Sequence, residues 1–120
     1  MEQELVGSDL DAAVHRALGY AELEVHPIDG SLGFYAREDF IPVLPYSTDI
    51  AAAWNLVEEM REKGWRFEIV CFENGENRAR FWLKEKDGRI VLAGESPNCL
   101  SAPEAICCAA LNAIAAAKEE

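Results

Sequence analysis

Apolar positions recur along this chain with two different periods, and the switches between them outline the elements. From Ser8 to Leu18 the residues Leu10, Ala13, Val14, Ala17 and Leu18 fall at i, i+3, i+4, i+7 and i+8, one face of a helix. Ser8 and Asp11 suit its start and Gly19 its end. The period then drops to two: from Tyr20 to Val25, Ala21, Leu23 and Val25 alternate with Glu22 and Glu24, the mark of a half-buried strand. Residues 26–45 keep neither period. Pro27, Gly30, Gly33, Pro42 and Pro45 punctuate them, and only Leu32 to Tyr35 reads as a short strand. A connection of that length in a compact domain is often functional or mobile.

A second helix follows. Thr48 or Ser47 supplies its cap, Asp49 complements its positive end, and it runs to about Lys63, where Gly64 stops it. Its apolar stripe reads Ile50, Ala53, Trp54, Val57 and Met60, which assigns Trp54 to the core. Three alternating runs come next, Trp65 to Phe72, Asn77 to Leu83 and Arg89 to Glu95, joined at Asn74-Gly75 and Asp87-Gly88. They predict an antiparallel meander. The last helix opens with the capping box Ser101-Ala102-Pro103-Glu104 and continues through Ile106, Ala110, Ala113, Ile114 and Ala117. Its alanines permit close packing on the sheet. The whole pattern is α+β, mostly antiparallel, in the order α-β-α-β-β-β-α, and 1–120 reads as one domain.

The register of the first hairpin follows from its faces, because a slip of one residue turns every side chain over. A two-residue Asn74-Gly75 loop would set Arg78 and Arg80 beside Ile69 and Cys71, with charge in the core. A loop one residue longer, with Gly75 or a neighbour in a bulge, aligns Phe67, Ile69 and Cys71 with Ala79, Phe81 and Leu83 instead. A two-residue Asp87-Gly88 turn then adds Ile90 and Leu92 to the same apolar face.

On this register the opposite face gathers Arg66, Glu68, Val70, Phe72, Arg78, Arg80, Trp82, Lys84, Arg89 and Val91. One reading is a solvated or helix-covered face with cross-strand Arg–Glu pairs. The other is a site for an anionic ligand or acidic partner, in which Arg78 and Arg80 pair with phosphate and Trp82 offers a stacking plane. Topology supplies a second candidate. The first and third strands of a meander run the same way, so the helix entering the first and the helix leaving the third start at one edge if they share a face. That edge carries Tyr46, Thr48 and Ser101 beside the Asn74-Gly75 turn, and helix N-termini attract anions. Asp49 and Glu104 already occupy those positive ends, so capping is the competing role.

Composition narrows the function classes. Twenty-two acids against eleven bases give a formal net charge of −11, which repels the phosphate backbone and argues against nucleic acid as a partner. No apolar run approaches the roughly 20 residues of a membrane span, and Met1-Glu2-Gln3-Glu4 does not resemble a secretory leader. A cytoplasmic protein is the expectation. Cys71, Cys99, Cys107 and Cys108 lack C-x-x-C spacing and, with only His15 and His26 as further ligands, predict reduced thiols and no metal. Ser47-Thr48-Asp49 and the Cys99/His26 pair lack a base-orienting triad or nucleophile elbow, and no phosphate loop, dinucleotide fingerprint or H-E-x-x-H motif occurs. Neither a cofactor nor enzymatic activity is expected.

Leu44-Pro45-Tyr46-Ser47-Thr48-Asp49-Ile50-Ala51-Ala52-Ala53-Trp54 and Ala102-Pro103-Glu104-Ala105-Ile106-Cys107-Cys108-Ala109-Ala110-Leu111 resemble the small bacteriophage proteins with a phage ABA sandwich domain, and Leu10 to Tyr20 is a weaker echo. The resemblance implies a three-layer α/β/α sandwich and a phage or prophage origin. It implies no activity and carries no site residues. The expected function is that of an accessory protein acting by binding, as in counter-defence: it sequesters a small anionic, nucleotide-like ligand or masks a host protein. The alternatives are a nucleotide-processing enzyme and an assembly protein working as a homo-oligomer.

Overall fold

The computed structural model describes residues 7–19, 23–25, 27–28, 32–36, 38–84 and 87–118. Helix α1 covers Gly7–Ala17. A small antiparallel sheet follows, with strands β1 (Glu24–Val25), β2 (Leu32–Ala36) and β3 (Asp39–Pro42) in that order. Helix α2 (Ile50–Glu62) leads into the meander β4 (Arg66–Cys71), β5 (Asn77–Lys84) and β6 (Ile90–Glu95), and helix α3 (Ala102–Lys118) ends the chain. The fold is α+β with two antiparallel sheets. The stretch that lacks a period in the sequence holds a β2–β3 hairpin, with Phe34 opposite Ile41 and Tyr35 opposite Phe40. Its alternation is hidden because Gly33, Pro42 and the charged turn around Asp39 interrupt a strand pair only four or five residues long. The strand read at Tyr20 to Val25 is described only from Leu23, and its start lies outside the described residues.

Alanine makes α3 the central helix. Ala105, Ala109, Ala110 and Ala113 are fully buried, together with Ile106 and Cys107, because the meander packs on one side of the helix while α1 and α2 pack on others. The approach to the sheet is closest at Gly94. A Cβ there would stand 2.1 Å from the Ala113 nitrogen and 2.8 Å from the Ala109 carbonyl oxygen, so this position must be glycine for backbone to meet backbone. Phe81 and Ala79 of β5 fill the sheet side of the core, and Leu56, Val57 and Met60 of α2 join them.

The first hairpin has the longer loop. Phe67 faces Phe81, Ile69 faces Ala79 and Cys71 faces Asn77 across the ladder. The Phe72 amide closes on the Glu76 carbonyl at 2.8 Å and the Gly75 amide on the Phe72 carbonyl at 3.0 Å, which leaves Glu73, Asn74 and Gly75 as the loop. Gly75 takes φ +88°, the left-handed position that such a three-residue loop demands. Asn77 is the residue opposite Cys71, and Leu83 faces Leu92. The second hairpin departs from its expected register at one point. Leu83 pairs with Leu92 but Lys84 pairs with Ile90, so Val91 is an extra residue on β6. That bulge moves Ile90 off the apolar face and leaves it half exposed.

Helix α2 differs from its predicted stripe. The buried face is Ala52, Ala53, Leu56, Val57 and Met60, while Ile50 and Trp54 are 56% and 48% exposed. At roughly 100° per residue, Ala52 and Leu56 shift the centre of the buried face away from Trp54 and leave the indole on its flank. The cap differs too. Asp49 itself is the N-cap, its carboxylate accepting from the Ala51 and Ala52 amides at 2.8 and 3.3 Å. Ser47 is instead a donor, through its amide, to the Asp11 carboxylate of α1 at 2.7 Å. Asp11 therefore ties α1 to the start of α2.

Candidate functional site

All three tryptophans of the chain converge on one cleft of about 760 Å³. Helix α2 contributes Trp54, Val57, Glu58, Arg61 and Glu62 to its lining. The start of β4 contributes Trp65, Arg66 and Phe67, and β5 contributes Trp82. The topology explains the convergence. Gly64 turns the chain at φ +99° directly from α2 into β4, so the last helical turns stand beside the first strand residues. The β4–β5 register sets Trp82 opposite Arg66.

Within the cleft Trp54 meets Phe67 edge to face, with ring centroids 6.0 Å apart, and Trp65 is buried. Phe67 in turn packs on Phe81 at 4.9 Å, which anchors the wall to the core. Arg61 is engaged by Glu58 at 3.0 Å on the helix surface. Arg66 has no ion pair with any described residue. In a protein of net charge −11 an unpaired arginine beside exposed indole is a place where an aromatic anion gains both stacking and charge.

The sequence-predicted residues divide into three groups. Trp82 and Arg80 lie together on the outer face of the meander. The Arg80 guanidinium sits 4.6 Å from the Trp82 ring and bridges to Glu68 at 2.9 Å. The Arg80 Nε and Trp82 Nε1 atoms are buried with no hydrogen-bond partner. Arg78 lies on the same face toward the other end of β5, with its guanidinium over Phe72 at 5.6 Å and its Nε donating to Asn98 at 3.0 Å. Cross-strand pairing thus accounts for much of this face, and of its residues Arg66 and Trp82 reach the cleft.

Tyr46, Thr48 and Ser101 form the third group. Thr48 is exposed; Ser101 is half-buried and its hydroxyl accepts from the Glu104 amide at 3.2 Å, the capping half of the predicted box. Tyr46 is only 3% exposed. Burial, then the negative charges of Glu59, Cys107 and Asp11, push its hydroxyl up to about 12. The three residues differ in exposure and present no common polar face.

Sequence reasoning placed Arg66 on one face with Trp82 but missed Trp54, Trp65 and Arg61 as their partners in one site. The signal was present in the spacing, because Trp54 is one residue off the stripe that Ala53, Leu56, Val57 and Met60 define. Among the described residues no group of three or more His, Cys, Asp or Glu side chains is placed to hold a metal ion, and no helix is long and apolar enough to cross a membrane. Comparison with curated proteins and with solved structures finds no match. The model of the phage ABA sandwich domain matches residues 21–111, and the chain belongs to that family.

Proposed function

We propose that this phage-associated domain is an accessory protein that works by binding, and that its ligand is a small planar molecule carrying an anionic group, such as a nucleotide. The observation that supports this reading is the convergence of Trp54, Trp65 and Trp82 on one open cleft with Arg66 at its edge. Trp54 is the exposed indole of the three, and such a plane stacks on a base whatever its sequence, at about 1 to 3 kcal/mol per base. A guanidinium pairs with phosphate through parallel hydrogen bonds. Glu58 and Glu62 on the helix side oppose a highly charged ligand, so stacking leads and a single phosphate on Arg66 follows.

The test is titration with a panel of linear and cyclic nucleotides, read by tryptophan fluorescence, with mass spectrometry of the recovered ligand. Saturable quenching with unchanged ligand mass is expected. Arg66→Gln should weaken binding by about 1.5 to 3 kcal/mol through loss of a charge-assisted hydrogen bond, and added salt should weaken it further. A changed mass would make the protein an enzyme. No quenching by any nucleotide would overturn the small-ligand reading and turn attention to a host protein.

A further inference from the structure

We infer that the tryptophan cleft selects guanine among the bases, through the Glu62 carboxylate, an assignment that rests on the nucleotide reading of that cleft and narrows it to one base. Trp54, Glu58 and Glu62 stand at i, i+4 and i+8 on α2 and all three line the cleft, so they form one row along its helical wall. The row begins with the half-exposed indole on which a base lies. The carboxylates follow it at about 6 Å per step of four residues.

The two carboxylates are not equivalent. Glu58 already holds Arg61 at 3.0 Å, whereas Glu62 is exposed and has neither an ion pair nor a hydrogen bond with any described residue. Helical side chains lean toward the N-terminus of their helix, which for the last residue of α2 is the direction of Trp54. An ionised carboxylate only accepts hydrogen bonds, and it has two oxygens to accept with. Its complement is an edge with two adjacent donors, and guanine, with N1–H beside its 2-amino group, is the common base that has one. Adenine and cytosine set a ring acceptor beside their amino group, and uracil sets its single N–H between two carbonyls. Each of those edges brings lone pairs against the carboxylate. Arg66, also without an ion pair to any described residue, is the cation left for the phosphate. Glu62 and Arg66 thus divide the ligand between them, one reading the base and the other holding the charge.

The probes are GMP and AMP, titrated by tryptophan quenching into the parent protein, Glu62→Gln and Arg66→Gln. GMP should bind about tenfold or more tighter than AMP, the discrimination that a bidentate base contact supplies. Glu62→Gln changes an exposed side chain and should abolish the preference by weakening GMP alone, because an amide offers one acceptor and sets a donor against guanine. Arg66→Gln should weaken both nucleotides by the same factor and keep the preference. Equal affinities in the parent, or a preference undiminished in Glu62→Gln, would overturn the guanine assignment and leave nucleotide binding in the cleft standing. Quenching by neither nucleotide would overturn both.

Discussion

Single side chains separate a core role from a site role here. Trp54 is about half exposed, so Trp54→Ala should change stability by no more than about 1 kcal/mol, as for a surface residue. Phe81, fully buried between α3 and the sheet, should cost about 3 to 5 kcal/mol as Phe81→Ala. Urea denaturation of both variants checks the pair, and equal losses would return Trp54 to the core. Arg80 joins Glu68 and covers Trp82, but with a third of its side chain exposed. Arg80→Gln should cost about 1 kcal/mol or less, as half-exposed pairs do. The cysteines also differ one by one. Cys71 is exposed, whereas Cys99 and Cys107 are buried. Burial, helped by Cys108 and Glu104, pushes the Cys99 thiol up to about 12, and Cys107 is raised for the same first reason. A thiol reagent at neutral pH should therefore label Cys71 in the folded protein and reach Cys99 and Cys107 only after unfolding.

Among the elements, the caps and turns carry local sequence information and the close approaches do not. Asp49→Ala removes the acceptor for two amides at the start of α2 and should cost about 1 kcal/mol. Gly75→Ala forces a side chain into φ +88° with open space around it, a strain of about 1 kcal/mol. Gly94→Ala is different in kind. Its new methyl would meet the backbone of α3 at Ala113, so the helix must lift from the sheet, at about 1 to 3 kcal/mol or more. Thermal melts of the three variants should rank Gly94→Ala as the most damaging. The turn residue was legible because Asn-Gly between two alternating runs has few conformations to choose from. The contact at Gly94 was not, because it joins β6 to a helix whose position depends on every layer beneath it.

At the scale of the whole molecule, buried acidic hydrogens tie stability to alkaline pH. Tyr46 is raised from 10.0 to about 12 and Cys99 from 9.0 to about 12 in the folded protein. Both groups stay protonated in the fold at pH values where the unfolded chain has already lost the proton. Their contribution is complete below about pH 9 and declines as pH rises to about 12, since the unfolded state binds fewer protons there. The urea midpoint should therefore fall steadily between pH 9 and 12. Tyr46→Phe should flatten the part of that fall above pH 10, and an unchanged slope would mean that Tyr46 is not the group responsible.

By itself the sequence determined the α+β class, the three helices, the meander and the face that its first two strands turn to the core. Those features follow from period, from turn chemistry and from the cost of burying Arg78 or Arg80, all of which act within a few residues or across one hairpin. Only the tertiary structure decided that α3 lies at the centre, that residues 32–42 form a hairpin whose Phe34 meets His15 of α1, and that Trp54, Trp65, Arg66 and Trp82 share one cleft. The physical reason is that a periodic stripe marks which residues are apolar without settling where its centre points. On α2, packing against α3 chose the side marked by Ala52 and Leu56, and that choice turned Trp54 from the core toward the cleft.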